Sequence, residues 1–306
     1  MIHTWYIIVN PTSGMGRAKR NWKKINRLLH QYELDFEFQF SEYSKHETVL
    51  VKEAIRRGYR KIISIGGDGT LFNILNGVMT QEFINPLDIA IGVIPIGTGN
   101  DWVRSHKIPR HYEKAIQIIK EGKTVQQDVG YIELLNENKS AYFNILAGSG
   151  FVGHVVHKTT KIKRVGPFAF ALGTLLSLAG HKLNTLKIHI NDEVFTTKSL
   201  LTVVGNLKYS GGGMQLTKNS NSLDGLFDVT IAKHINKPTI IGNIFNLFNG
   251  KIVNHRLISN YKTDKLKIEI EDNTESFVQA DGEIIGKGGF KIELIPQAVT
   301  YIVPKN

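Results

Sequence analysis

Lys61-Ile62-Ile63-Ser64-Ile65-Gly66-Gly67-Asp68-Gly69-Thr70-Leu71 is the stretch on which the fold turns. Its first five residues, KIISI, are an apolar, β-branched run of the kind that suits a strand buried on both faces. The glycines end that run, and Leu71–Met79 continues with helical spacing. A strand that passes through a glycine turn into a helix is half of a βαβ unit. The same order recurs on either side. Upstream, Thr4–Val9 (TWYIIV) reads as a strand, Asn10–Gly16 as a Gly/Ser/Pro loop, and Ala18–His30 as a helix with Trp22, Ile25, Leu28 and Leu29 on one face. Phe36–Phe40 is a second strand and Thr48–Arg57 a second helix; Ile89–Ile94 (IAIGVI) is a further buried strand and Tyr112–Gly122 a further helix. The rhythm predicts an α/β unit with a parallel, doubly wound sheet, whose sites lie beyond the carboxyl ends of its strands.

After about Asp128 the pattern changes. Asp128–Leu135, Ala141–Ala147, Thr185–Ile190, Val194–Asn206, Phe227–Ala232, Lys265–Ile270, Phe277–Ala280 and Phe290–Leu294 read as strands separated by turns. Only Phe168–Ala179 and Lys237–Asn249 carry helical character there. The expectation is two domains: 1–128, an α/β domain that binds nucleotide, and 129–306, a mostly antiparallel β domain, with the last strand a candidate to return to the first. A chain of 306 residues supports this, since domains run to roughly 100–200 residues. At this size folding buries roughly 75% of the unfolded chain's surface, so no covalent staple is needed. The absence of cysteine excludes a disulfide framework, a thiolate zinc site and a cysteine nucleophile.

The formal charge of +11 favours an anionic partner: a phosphorylated small molecule, an anionic membrane surface or nucleic acid. No arginine-rich arm, zinc finger or RNP-type strand is present, so nucleic acid is not expected. The first residues form a strand, not a leader. The apolar run Phe168–Gly180 is shorter than the about 20 residues a membrane span needs. The expectation is a cytoplasmic protein. Lys158, Lys161, Lys163 and Arg164 precede that apolar run, so it reads either as a core helix or as a segment that lies on the inner face of an anionic bilayer. His154 and His157 stand three apart without a carboxylate to complete a metal site.

Gly66-Gly67-Asp68-Gly69-Thr70 carries the strongest chemical signal. Glycines at a strand-to-helix turn let a phosphate approach the backbone, and the helix start offers free N–H donors. Asp68 would repel that phosphate unless a divalent cation stood between them, so the carboxylate points to a metal–nucleotide site. The plainer alternative is a tight turn with Asp68 or Thr70 as a helix cap. Pro95-Ile96-Gly97-Thr98-Gly99-Asn100-Asp101 follows the next buried strand in the same way, and Asn10-Pro11-Thr12-Ser13-Gly14 follows the first. Three such loops at the ends of parallel strands would line one crevice. None is a Walker A loop or a Rossmann fingerprint.

These three segments resemble the diacylglycerol-kinase-type catalytic domain, shared by bacterial soluble lipid kinases, sphingosine kinases and ceramide kinases. The resemblance continues through Tyr209-Ser210-Gly211-Gly212-Gly213-Met214, Leu223-Asp224-Gly225-Leu226-Phe227-Asp228-Val229 and Asp281-Gly282-Glu283, in order over nearly the whole chain. It implies an NAD-kinase-like α/β domain followed by the β domain, and transfer of the γ-phosphate of ATP to a lipid hydroxyl, above all that of diacylglycerol. ATP would be held by Asn10, Pro11, Thr12, Ser13, Gly14, Ser41, Gly66, Gly67, Asp68, Gly69, Thr70, Thr98 and Asn100. A catalytic Mg²⁺ would be organised, partly through water, by Asp68, Asp101 and Asp128. A second, structural Mg²⁺ would use Asn221, Asp224 and the Leu226 carbonyl. Asp281, with Glu283 beside it, would act as general base or its support, and Asp68 would share in catalysis. Taken alone, Asp281-Gly282 also reads as a hairpin turn between FVQA and EIIG, and Asp224-Gly225 as a turn.

The family follows G-G-D-G-T with Leu and then Asn-Glu, whereas Phe72-Asn73 stand here, so an expected carboxylate on the nucleotide-facing helix is missing. Two rivals stay open: an NAD kinase-like enzyme, and a catalytically silent nucleotide- or lipid-binding regulator on the same fold. The partners implied are a lipid substrate at a membrane surface and, through exposed strand edges, a second copy in a homodimer.

Overall fold

The computed structural model describes residues 4–160, 183–233, 239, 242–243, 245–272 and 274–305. The chain forms two compact units, Met1–Gln127 with Gln297–Asn306, and Asp128–Pro296. The expected helix Phe168–Ala179, and Lys161, Lys163 and Arg164 before it, lie outside the described residues, as do the side chain of Lys158 and residues 237–238, 240–241 and 244 of the expected helix Lys237–Asn249, whose end, Asn246–Asn249, is helical.

The first unit alternates as its sequence requires: β1 (Trp5–Val9), α1 (Ser13–Gln31), β2 (Phe36–Phe40), α2 (His46–Arg56), β3 (Lys61–Gly66), α3 (Asp68–Met79), β4 (Ala90–Pro95), α4 (Asp101–Ser105) and α5 (Tyr112–Glu121). The strands run parallel in the order β2-β1-β3-β4, with Ile7 opposite Ile63 and Ile63 opposite Gly92. Ile7, Ile8, Val9, Ile62, Ile63, Ile65, Ile91 and Ile94 are wholly buried. Their β-branched side chains fill both faces of the sheet, which is why these strands read as unbroken apolar runs. The edge strand β2 instead alternates, and Trp22 of α1 packs its ring on Phe38 at 4.5 Å and on Phe40 at 5.7 Å. The parallel order puts every connecting loop that carries a motif at the carboxyl ends of the strands.

The second unit is antiparallel, as its short alternating segments suggest. A long strand, β5 (Thr124–Leu134), leads into it and is followed by β6 (Ser140–Phe143), β7 (Leu146–Gly150), α6 (Phe151–Thr160), β8 (Asn184–Ile190), β9 (Glu193–Gly205), β10 (Phe227–Lys233), β11 (Ile258–Thr263), β12 (Lys265–Ile270), β13 (Phe277–Ala280), β14 (Glu283–Lys287) and β15 (Phe290–Ile302). The order is β14-β13-β7-β9-β8-β12-β15, with β10 on β9 and β11 on β10. The end of β15 joins the first unit, where Thr300 and Tyr301 pair in parallel with Ala90 and Ile91.

Two expectations need correction. Ala141–Ala147 is not one strand: it breaks between β6 and β7, because the backbone N–H groups of Asn144, Ile145 and Leu146 are taken by the Asp281 carboxylate. Phe151–Thr160 is a helix that its poor helix formers, Gly, Val and Thr, do not announce. It is held by contact instead, since a Cβ on Gly153 would stand 2.0 Å from the Phe277 carbonyl oxygen.

Candidate active site

Three loops of the first unit meet where the sequence suggests. The N–H groups of Ile96 and Gly97 both donate to the Gly66 carbonyl, at 2.8 and 3.1 Å. Gly67 and Gly97 stand so close that a Cβ on Gly97 would lie 2.5 Å from the Gly67 Cα, and one on Gly67 2.9 Å from the Gly97 Cα. Glycine is required at both by this backbone-to-backbone approach, independently of φ. Beside them, Asn100 holds a left-handed conformation (φ 53°) and donates its amide N–H to the Gly97 carbonyl at 2.8 Å. Its Oδ1 is buried with no hydrogen-bond partner. An unsatisfied acceptor in a glycine-lined cradle fits a bound group that brings a donor or a cation.

The first loop joins through hydroxyls. Asn10 accepts from the Thr12 N–H and hydroxyl at 3.1 and 2.8 Å, and donates its own amide N–H to the Thr70 hydroxyl at 3.1 Å. The Ser13 hydroxyl lies 3.4 Å from that of Thr70. Gly14, Met15 and Gly16 are all left-handed, so the chain turns sharply before the regular part of α1 begins. Pro11, Gly14, Ser41 and Thr98 stand in the loops after β1, β2 and β4, and Gly69 in the first turn of α3, so the expected nucleotide residues share one end of the sheet. Two arginines not singled out from the sequence complete the arrangement. Arg17 donates to the carbonyls of Gly14 and Ile96, both at 3.1 Å, tying the first loop to the third. Arg110 donates to the Gly99 carbonyl at 2.7 Å. Arg17 lies only three residues beyond N-P-T-S-G, which is the one signal that could have found it.

Asp68 does cap a helix, though not the one it opens. Its Oδ2 accepts the Asp101 N–H at 3.1 Å and its Oδ1 the Trp102 N–H at 3.2 Å, so it caps α4 from a distance. Burial pushes its carboxyl above the ordinary range, opposed by those same N–H groups and that of Asn100. Asp101, itself buried, pairs with Arg104 at 3.3 Å. Under α4, the Trp102 indole N–H donates to Gln127 Oε1 at 3.0 Å, and His106 Nε2 meets the same oxygen at 2.9 Å. An indole nitrogen can only donate, so the shared atom is an acceptor and His106 carries its proton on Nε2. Burial lowers the His106 pKa to about 4, against the opposing effect of the Gln127 bond.

Glu47 fills part of the gap left at position 73. This buried carboxylate, from the first turn of α2, accepts the Asn73 side-chain N–H at 2.9 Å. A carboxylate therefore stands beside α3 after all, contributed by the neighbouring helix.

The second unit holds the remaining expected residues in two places. Asp281 and Gly282, with φ of 49° and 81°, form the two-residue turn between β13 and β14, and Glu283 opens β14 opposite Ala280. Positive φ at both positions is the primed turn that hairpins prefer. Asp281 Oδ2 accepts the Asn144 N–H at 2.7 Å, and Oδ1 accepts those of Ile145 and Leu146 at 2.8 and 3.0 Å. Elsewhere in this unit Asp128 Oδ2 accepts the Gly225 N–H at 2.9 Å. Asp224 Oδ1 accepts the Leu226 N–H at 3.2 Å, its Oδ2 the Lys262 ammonium at 2.8 Å, and its own N–H points to the Asn221 carbonyl at 3.4 Å. The expected structural Mg²⁺ does not fit this arrangement, because a lysine already holds the outer oxygen. Among the described residues no three His, Asp or Glu side chains gather as a ready metal site, and no helix is long and apolar enough to cross a membrane.

Residues 4–132 match the diacylglycerol kinase catalytic domain, and residues 146–303 the YegS C-terminal NAD kinase beta sandwich-like domain. A diacylglycerol kinase of Staphylococcus saprophyticus is 30% identical over 284 residues, covering 92% of this chain and 89% of that protein. One of Staphylococcus haemolyticus is 30% identical over 303 residues, covering 98% and 88%. Two crystal structures of candidate diacylglycerol kinases from Bacillus anthracis superpose with TM-scores of 0.77 and 0.78, at 26% and 25% identity, each covering 98% of this chain and 97% of the other. The order of loops, the parallel sheet and the antiparallel second unit agree with that match throughout, and the chain belongs to the diacylglycerol kinase family, phosphotransferases that act on a lipid alcohol.

Proposed function

We propose that the chain transfers the γ-phosphate of ATP, in a magnesium-dependent reaction, to the hydroxyl of diacylglycerol, giving phosphatidic acid. The observation that carries the choice of acceptor is an apolar cavity in the second unit, lined by Phe151, Val155, Leu201, Met214, Leu216 and Ala232 among others. Close-packed interiors rarely leave such space empty, and a dry cavity of this composition suits an alkyl chain. A soluble acceptor such as NAD has no use for it.

The glycine cradle of Gly67 and Gly97 and the orphaned Asn100 Oδ1 support nucleotide binding at the first unit's loops. Asp68 and Asp101 are the carboxylates suited to hold magnesium there, which when bound supplies neutralisation of charge on the phosphoryl oxygens. The Ser13 and Thr70 hydroxyls and the loop N–H groups orient the phosphates, and Arg17 keeps the first loop in register with the third. Asp281 takes the acceptor's proton. Its three backbone bonds fix the carboxylate in place, and a base so positioned contributes about 10²–10⁴-fold.

Labelled γ-phosphate transfer to a panel of diacylglycerol, monoacylglycerol, sphingosine, ceramide, undecaprenol and NAD tests the reading. Labelled phosphatidic acid is expected, with loss of lipid transfer but not of ATP binding when the cavity is filled by Ala232→Phe. Labelled NADP, or lipid transfer indifferent to Ala232→Phe, would overturn it.

A further inference from the structure

We propose that the Lys262 ammonium is the resident cation of the loop Asn221–Leu226, standing where a divalent ion was expected, so that the second unit holds its fold without a metal. Asp224 and Asp228 both turn an oxygen toward this one ammonium, at 2.8 and 3.6 Å. Asp228 is buried, and its Oδ2 has no hydrogen bond of its own. Two neighbouring carboxylates need a counter-charge, and burial of one makes the need greater.

The strand register supplies that charge. Lys262 of β11 stands directly opposite Asp228 of β10 in the antiparallel ladder, with Val229 opposite Tyr261 and Thr230 opposite Asn260 fixing the alignment. An opposite-charge cross-strand pair is a favourable sheet contact in itself. Here the lysine also reaches on to Asp224. Of the other groups a metal would use, Asp224 Oδ1 already accepts the Leu226 N–H and the Asn221 carbonyl faces the Asp224 N–H. Magnesium demands a near-octahedral oxygen shell. To build one, it would have to displace the ammonium from both carboxylates.

Thermal unfolding of the whole chain, without nucleotide, in EDTA and in millimolar Mg²⁺ tests this. The wild-type chain and Asp224→Asn are expected to respond identically to Mg²⁺. Lys262→Met is expected to unfold about 2–4 °C lower in EDTA, the scale of a contact worth about 1 kcal/mol in a unit of this size, and to recover in Mg²⁺ as the freed carboxylates accept it. Lys262→Arg, which keeps the charge, should behave as wild type. A Mg²⁺-induced rise in the wild-type chain that disappears in Asp224→Asn would overturn the proposal, since the metal would then bind despite the lysine. So would a Lys262→Met chain as stable as wild type in EDTA. A loss that Mg²⁺ does not restore would also overturn it, reducing the contact to an ordinary ion pair.

Discussion

Replacing Asp281 by Asn separates two properties that one carboxylate combines. In the wild-type chain its two oxygens accept three backbone N–H groups, from Asn144, Ile145 and Leu146. Asparagine keeps one oxygen, which can still serve Ile145 and Leu146 as a neutral acceptor. Its NH₂ group then faces the Asn144 N–H, donor against donor. Two charge-assisted bonds become ordinary ones and a third is lost with its N–H unsatisfied, a cost of about 2–4 kcal/mol. At about 2–4 °C per kcal/mol for a unit of this size, the midpoint of thermal unfolding should fall by roughly 5–15 °C. The β6–β7 break should become less ordered, readable as faster amide exchange at Asn144–Leu146. Lipid phosphorylation measured below the lowered midpoint should fall by at least about 10²-fold, with ATP affinity by calorimetry unchanged. An Asp281→Asn chain as stable as wild type would refute the triple contact. Retained turnover at the lowered stability would refute the proton-accepting role and leave Asp281 a purely structural clamp.

Three further outcomes follow from named contacts. His106 has a pKa of about 4 in the folded chain and about 6.5 when unfolded, so between those values the unfolded chain binds the extra proton. Stability should therefore be complete above about pH 6.5 and decline by about 3 kcal/mol on acidification toward pH 4, and His106→Gln should flatten that slope in urea titrations at several pH values. Gly97→Ala places a Cβ 2.5 Å from the Gly67 Cα. It should cost about 1–3 kcal/mol and raise the KM for ATP about tenfold or more, while the pure turnover number for bound substrate changes less; an unchanged KM would count against the cradle. Glu47→Ala leaves the Asn73 side-chain N–H without its 2.9 Å partner and should destabilise by about 1–3 kcal/mol. The double substitution Glu47→Ala, Asn73→Ala, which removes both partners, should restore most of that, as thermal unfolding can show.

The first unit was legible because its strands are buried on both faces and its loops carry glycines for a steric reason. The Gly67–Gly97 approach is the structural counterpart of two glycine-rich motifs that neither explains alone. The sequence also announced the Asp281-Gly282 hairpin through its turn residues. What it did not announce are contacts made across long stretches of chain. The strand over Ala141–Ala147 breaks because of a carboxylate some 135 positions further on. The helix Phe151–Thr160 exists because Gly153 fits against Phe277, and its propensity points the other way. Lys262, in the polar edge strand β11, bears no local mark of its two aspartates. Glu47 and Arg17 are unremarkable in a surface-like sequence and acquire meaning only from what packs beside them. Local pattern encodes elements and turns; the identity of a buried charge's partner is set by tertiary packing.

The most direct test of the central claim is transfer of labelled γ-phosphate from ATP to diacylglycerol in mixed micelles, with the product identified by chromatography and mass. Labelled phosphatidic acid is predicted, absent in EDTA and restored by Mg²⁺. Saturable ATP binding with no labelled lipid from diacylglycerol, in the presence of Mg²⁺, would contradict it.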